Sequence, residues 1–272
     1  MSATTATTAP HRTTEHTTFP SLISDILAVT KRNLLKYVRL PTLLIFSTVQ
    51  PVMFVLLFRF VFSGAIRGLP PGVNYVDFLM PGIFVQTVVF GSTQTGIGLA
   101  EDLSGGLIER FRSLPMARSA VLAGRTVSDA VRNTFVVILM GAVGYLVGFR
   151  FHGNIVAAIL TVLLAVGFGY AFSWISAWIG LSAGNVEAAQ AASFVWIFPL
   201  TFASTAFVPL ATMPGWLQAF ARVNPVSVTV DAARRMALGF PYGTQLFHAF
   251  LWIAAILLAF VPLAVSRYRK VS

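Results

Sequence analysis

The residues best equipped to do chemistry in water lie between Glu101 and Arg125, in the run EDLSGGLIERFRSLPMARSAVLAGR, which separates two long apolar blocks. Its charged side chains are Glu101, Asp102, Glu109, Arg110, Arg112, Arg118 and Arg125. Ser104, Gly105 and Gly106 can open a short helix, and Pro115 ends it, because proline cannot continue the hydrogen-bond ladder. Leu107, Ile108, Phe111 and Leu114 then share one face, and charge occupies the other. Such a helix, held between membrane spans, suits docking on a partner in the aqueous phase. The same residues also fit a solvated loop whose arginines set topology.

Bond-making constellations are missing from the sequence. There is no H-E-x-x-H and no G-x-S-x-G, and the histidines His11, His16, His152 and His248 are scattered. Cysteine is absent, which excludes thiol and disulfide chemistry. Leu103-Ser104-Gly105-Gly106 looks like the start of the signature of ABC-type ATPases. A nucleotide site also needs a phosphate-cradling G-x-x-x-x-G-K-[ST] loop and a soluble domain, and the sequence has neither. The four residues are therefore read as coincidence, with no catalytic, metal or cofactor site in this chain.

The elements around this stretch are apolar. Of 272 residues 56% are hydrophobic and 10% charged, with a mean hydropathy of +0.79. A soluble domain carries about 25% charge, so the composition is that of an all-α polytopic membrane protein. A net charge of +10 would suggest nucleic acid in a soluble protein. Here the basic residues cluster at the ends of apolar runs, which points to topology and lipid contact and away from nucleic acid.

Residues 1–18 are Thr-rich and without periodicity, and read as a disordered tail. Residues 19–40 read as an interfacial helix. Ile23, Ile26, Leu27, Thr30, Leu34, Tyr37 and Val38 lie on one face, and Lys31, Arg32, Lys36 and Arg39 are placed to meet lipid phosphates; packing on protein is the alternative. Residues 41–272 hold six candidate spans of roughly 20 residues: Thr42–Phe62, Phe78–Ala100, Ala130–Phe149, Ile155–Leu181, Ala189–Leu210 and Phe247–Val265. Two short amphipathic helices, re-entrant or lying on the outer surface, are expected between spans five and six, with Asn224-Pro225 opening the second and Gly239-Phe240-Pro241 stopping it. No internal repeat and no chain of buried carboxylates supports a secondary transporter. Arg59, Arg132, Asp77, Asp129 and Glu187 sit near span ends, the arginines within reach of the interface. Gln86, Gln94 and Ser173 could meet a substrate or another helix. A route with so few charges suits hydrophobic or amphipathic molecules.

Two motifs carry a family resemblance. Asp102-Leu103-Ser104, Gly106, Ile108, Glu109-Arg110-Phe111-Arg112-Ser113-Leu114-Pro115-Met116, Arg118 and Gly124-Arg125 resemble the cytoplasmic motif of type-2 ABC exporter permeases, in the daunorubicin-resistance subgroup. Leu107 stands where that family usually has threonine. Met213-Pro214-Gly215-Trp216-Leu217, Asn224-Pro225-Val226-Ser227, Asp231, Arg234 and Gly239 resemble its external helices. The resemblance implies the permease subunit of an ATP-driven exporter of drug-like or lipid-like molecules, in a bacterial plasma membrane. Export of polysaccharide or glycolipid by the same family is the alternative. It further implies a dimer of permeases, a homodimer in preference to a heterodimer, with two copies of a separate ATPase that binds the ATP and magnesium. Glu101, Asp102, Gly106, Ile108, Glu109, Arg110, Phe111, Arg112, Pro115 and Arg118 would form the cytoplasmic coupling helix and its flanks. Pro214, Trp216, Asn224, Pro225, Asp231 and Arg234 would belong to the external helices.

Charge fixes an expected orientation. With the N-terminus inside, the cytoplasmic side holds Lys31, Arg32, Lys36, Arg39, Arg110, Arg112, Arg118, Arg125, Arg267, Arg269 and Lys270. The outer side holds Arg67, Arg150, Arg222, Arg234 and Arg235. This bias puts both termini and the central stretch in the cytoplasm. Single cysteines at Ser113 and Ser272 should react with a membrane-impermeant maleimide only in inverted vesicles, and one at Gly72 only in intact cells. Labelling of Ser113Cys from outside would overturn the orientation.

Overall fold

The computed structural model describes residues 19–39, 41–106 and 118–271, and its regular elements are all helices. α1 spans Phe19–Arg39. α2, Pro41–Leu56, runs into a π-helical stretch at Leu57–Phe62. There follow α3 (Tyr75–Ser104), α4 (Arg118–Leu146), α5 (Ile155–Ser182) and α6 (Val186–Phe202). A 3₁₀ turn at Leu210–Thr212 leads to α7 (Gly215–Val223), α8 (Pro225–Leu238) and α9 (Gly243–Val271). The tail, residues 1–18, lies outside the described residues.

Among the described residues four helices are long and apolar enough to cross a membrane: Tyr75–Ser104, Ala120–Leu146, Ile155–Ser182 and Gly243–Lys270. The first and fifth expected spans correspond to shorter apolar helices, Ser47–Phe62 and Val186–Phe202. The expected span Ala189–Leu210 needs correction. Its helix ends at Phe202, where Ala203 leaves helical geometry, and the chain continues irregularly to Pro209. The apolar run in the sequence goes on, but composition does not distinguish a helix from backbone whose carbonyls are bonded by other side chains.

α3 is the axis of the bundle. Its apolar window is 89% buried, against 17% for the corresponding window of α9, so α3 is enclosed by its own chain and α9 belongs to the rim. Leu79, Met80, Ile83, Met140, Leu164, Phe168, Phe172 and Ile197 fill the main core around it. A smaller core of Leu99, Leu122, Trp174, Leu181 and Tyr268 lies toward the end that carries Glu101. α5 crosses α3 through small residues. A side chain on Gly180 would run into the Gly96 carbonyl, one on Gly96 would meet the Ser176 carbonyl, and the Ser92 and Ser176 hydroxyls pair at 3.4 Å. Without a hydrophobic driving force between helices in lipid, this closeness supplies the dispersion contact that holds them together.

The Ser104–Gly106 segment closes α3. The Ser104 hydroxyl and the Gly105 N–H both donate to the Glu101 carbonyl, at 3.1 and 2.9 Å. Gly106 has φ +67°, a left-handed geometry that favours glycine at a helix end. The expected short helix beyond it falls on residues 107–117, outside the described residues.

α1 rests on α4 at Gly124, where any side chain would strike Val29 and the Ile26 carbonyl, and the Thr30 hydroxyl bonds the Gly124 carbonyl at 3.1 Å. Ile23, Leu27 and Val38 on its other side are exposed. The expected stripe is therefore split between protein and surroundings. Between α6 and α9 the two expected helices are present but unlike each other. α8 is embedded against α3, α5 and α9, with Val226, Val230, Ala233, Met236 and Ala237 buried. α7 exposes Trp216, Phe220 and Val223.

The α3–α5 crossing predicts a sharp contrast between two glycines. Gly180→Ala should lower stability by about 1–3 kcal/mol through overpacking. Gly141→Ala, which meets nothing within 4 Å, should leave it unchanged or slightly raised. Thermal unfolding of the detergent-purified variants reads the difference, and equal midpoints would remove the crossing as a constraint.

Candidate functional site

At the Glu101 end, three helices are tied by charge. Arg125 of α4 donates to Asp102 of α3 at 2.9 Å and to the Gly98 carbonyl at 3.3 Å. The guanidinium lies so close to Gly98 that any side chain there would have to displace it. Lys36 of α1 approaches Glu101 at 3.7 Å, with both groups about half exposed. Glu101, Asp102 and Gly106 thus end α3, and Arg118 begins α4. Ile108, Glu109, Arg110, Phe111, Arg112 and Pro115 lie outside the described residues.

One turn deeper is a buried ion pair. Asp129 and Arg132, on α4, are 1% and 4% exposed and approach to 3.7 Å. Asp129 accepts from the Tyr37 hydroxyl at 3.0 Å and from the Thr95 hydroxyl at 2.5 Å. Arg132 donates to the Gly91 carbonyl at 2.6 Å, to Asn133 at 3.1 Å and to the Tyr37 oxygen at 3.2 Å. A buried charge is tolerable only when paired and hydrogen-bonded, and each partner here is both. Burial, and after it the Asp129 charge, pushes the Tyr37 hydroxyl above its ordinary pKa, so it remains a donor. The expectation that Arg132 reaches out to the interface is corrected: its head turns inward, because a carboxylate and a backbone carbonyl hold it there.

A cavity of about 290 Å³ opens beside this pair, between α1, α2, α3, α4 and α6. Its polar wall includes Asn33, Lys36, Gln50, Thr87, Gln94, Glu101, Arg125 and Arg132, and its apolar wall includes Pro51, Phe90, Val136 and Phe194. Of the residues considered for a transport route, Gln94 lines this cavity. Gln86 is buried elsewhere on α3, and Ser173 is buried on α5 with its hydroxyl bonded to the Tyr170 carbonyl at 2.7 Å.

From the apolar wall a row of phenylalanines leads to the other end of the bundle. Phe90 meets Phe194 and Phe198, at 6.3 and 5.4 Å between ring centroids. Phe194, Phe198 and Phe202 follow one another at 5.5 Å. Phe202 then meets Phe207 and Phe54, and Phe58 stacks on Phe207 at 4.6 Å and continues to Phe62 at 5.3 Å. Phe62, Phe198 and Phe202 are exposed. The sequence reading passed over this row, although its signal was there. Phe54, Phe58 and Phe62, and again Phe194, Phe198 and Phe202, recur at intervals of four, which places each set on one helix face.

At that far end the irregular segment after α6 is bonded by α8. Arg234 donates to the carbonyls of Phe78 at 2.9 Å and Thr205 at 2.7 Å, and to Asp231 at 3.0 Å. Its guanidinium stacks 3.6 Å from the centre of the Phe78 ring. Burial pulls it down to about 10, opposed by Asp231, so it stays protonated at neutral pH. Asp231 also accepts from the Thr205 hydroxyl at 2.9 Å. Asn224 donates to the Leu200 and Ala203 carbonyls at 2.7 and 3.2 Å while accepting from the Val226 N–H at 2.9 Å, which caps α8. Pro225 takes the first helical position, Pro214 precedes α7, and Trp216 is 75% exposed. Asn224, Asp231 and Arg234 therefore hold backbone, whereas Trp216 faces the surroundings.

Comparison with known proteins agrees along almost the whole chain. A family model described as ABC-2 type transporter matches residues 24–238. The daunorubicin resistance ABC transporter permease protein DrrB1 of Streptomyces coeruleorubidus is 32% identical over 91% of this chain and 87% of its own. A doxorubicin resistance ABC transporter permease protein, DrrC, of Mycobacterium tuberculosis is 28% identical over 92% and 90%. The transport permease ycf38 of Cyanophora paradoxa is 30% identical over 78% and 73%.

The bonding around Arg234 predicts a stability effect. Arg234→Leu leaves the Thr205 and Phe78 carbonyls without that donor, each buried orphan costing about 1–3 kcal/mol. Its thermal midpoint should fall well below that of Arg222→Leu, a change at an exposed arginine of α7. Equal midpoints would show that the irregular segment does not depend on α8.

Proposed function

The chain belongs to the ABC-2 type transporter family, and on that premise we propose that it is the permease subunit of an ATP-driven exporter of drug-like, hydrophobic or amphipathic molecules. The chain is a multi-pass membrane protein of this family. In our reading it works in a bacterial plasma membrane with both termini in the cytoplasm. Two copies, as a homodimer, pair with two copies of a separate ATPase, which holds the nucleotide and magnesium. The stretch from Glu101 to Pro115 and on to Arg118 seats on that ATPase.

The observation that carries the substrate class is the phenylalanine row. It begins at a cavity near the charged end and reaches the far end of α2 and α6, partly exposed along its length. Adjoining rings, some stacked and some tilted or edge-on, offer a planar or acyl molecule a continuous apolar surface with no strong single binding point. Relatives carrying daunorubicin or doxorubicin resistance in their names support a cargo of that kind.

Energisation by a separate ATPase can be tested on the coupling stretch. Phe111 is the expected buried anchor, and truncation of such an anchor removes about 2 kcal/mol or more of binding. Co-expressed with its ATPase, the wild-type chain should lower daunorubicin accumulation in an ATP-dependent manner. Phe111→Ala should weaken co-purification of the ATPase by about tenfold or more and abolish most efflux, with membrane insertion intact. Glu109→Arg, a change at the rim, should disturb complementarity to a smaller degree. Full efflux and full ATPase retention in the double variant would overturn the coupling role.

A further inference from the structure

We propose that the cavity between α1, α2, α3, α4 and α6 binds the phosphate-type anionic head of an amphiphile, with its apolar tail laid on Phe90 and Phe194. The inference deepens the export reading and rests on it for one point only, that the bound amphiphile is cargo.

The first observation is charge. Three cations face the cavity, Lys36, Arg125 and Arg132, against one carboxylate, Glu101 at the rim. The acids that balance Arg125 and Arg132 are Asp102 and Asp129, and neither lines the cavity. In these two ion pairs the cationic partner lines the space and the anionic partner does not, whereas Lys36 and Glu101 both line it.

The second observation is a set of buried donors. Asn33 Nδ2, Thr87 Oγ1 and Arg132 Nε have no hydrogen-bond partner among the described residues, and all three belong to residues that line this cavity. Thr87 and Arg132 are 5% and 4% exposed. Thr87 is unusual on its helix, since Ser92 and Thr93 bond back to carbonyls of α3 at 2.6 and 2.7 Å. A buried donor without a partner is costly. An anion with several acceptor oxygens satisfies cationic and neutral donors together, and charge-assisted bonds of this kind are the strong ones. A neutral head makes weaker bonds to the same donors, and an ammonium head has no acceptor oxygen to offer them.

The third observation is the apolar wall. Phe90 and Phe194 belong both to this cavity and to the phenylalanine row, so a head held by Arg132 and Thr87 has its tail at the start of that row. This commits the site to an amphiphile over a free anion.

The test needs neither ATPase nor ATP. The full chain is placed in phosphatidylcholine nanodiscs and titrated with dioctanoyl phosphatidic acid, dioctanoylglycerol and inorganic phosphate, read by native mass spectrometry. Phosphatidic acid should bind saturably, one per chain, at least tenfold tighter than either of the others. Thr87→Val breaks no hydrogen bond within the described residues, and Lys36→Met changes a half-exposed group. Each should weaken binding several-fold with an unchanged thermal midpoint, and together by tenfold or more. A phosphatidic acid with a diazirine in its tail should crosslink to the peptides of Phe90 or Phe194.

Equal binding of dioctanoylglycerol would overturn head recognition. Equal binding of inorganic phosphate would overturn the amphiphile in favour of a free anion. Unchanged affinity in the folded double variant, or crosslinks confined to other helices, would place the binding elsewhere and overturn the site. Loss of efflux with binding retained counts against the export reading alone.

Discussion

A peptide carbonyl that leaves a helix inside an apolar layer must find a donor within the protein, because lipid offers none. That constraint accounts for the far end of this molecule. The chain abandons helical geometry at Ala203, and the carbonyls it frees are met by Asn224, which caps α8, and by Arg234 within it. Arg234 also bonds the Phe78 carbonyl, so the same guanidinium anchors the irregular segment to α3. A buried cation is expensive, and this one is stabilised by a carboxylate, backbone oxygens and an aromatic face together. α8 buries its apolar side chains against α3, α5 and α9, and its polar ones bond the irregular segment.

The charged end meets the same constraint with different parts. Arg125 and Arg132 each pair with an aspartate and each donate to a carbonyl of α3, at Gly98 and Gly91. A side chain at Gly98 would run into the Arg125 guanidinium, and one at Gly91 into the Asn133 amide beside Arg132. α1 joins through Tyr37 and Thr30. A helix with an exposed apolar side is thereby fixed to the bundle at the level of the stretch that the family resemblance marks for coupling.

Much of this was legible in the sequence and some was not, for physical reasons. Helix class, the α2–α6 and α9 segments and the Asn224-Pro225 cap follow from hydropathy and local backbone rules, which need only neighbours in sequence. The end of α6 at Phe202 was not legible, since apolar residues continue to Leu210 and the donors that permit the break come from 20 to 30 residues away. That Ser104–Gly106 also ends α3 was not legible, because it rests on the left-handed Gly106 and on bonds back to the Glu101 carbonyl. Asp129 and Arg132 were seen singly. Their spacing of three, with Tyr37 and Thr95 contributed by other helices, makes them one cluster.

The enclosure of α3 has a consequence for how this chain can vary. A helix surrounded on all sides by its own polypeptide has little surface left for a second subunit. Side chains along it answer to α4, α5, α6 and α8 of the same molecule. A bulkier residue at Gly96 meets the backbone carbonyl of Ser176, which is cleared only by a shift of α5 itself, and one at Gly98 needs the Arg125 guanidinium to move. Compensation for drift along the axis is therefore written within this one gene product. The sparsely covered helices of the rim, such as α9, are where residues can instead adjust to a neighbouring molecule or to the lipid.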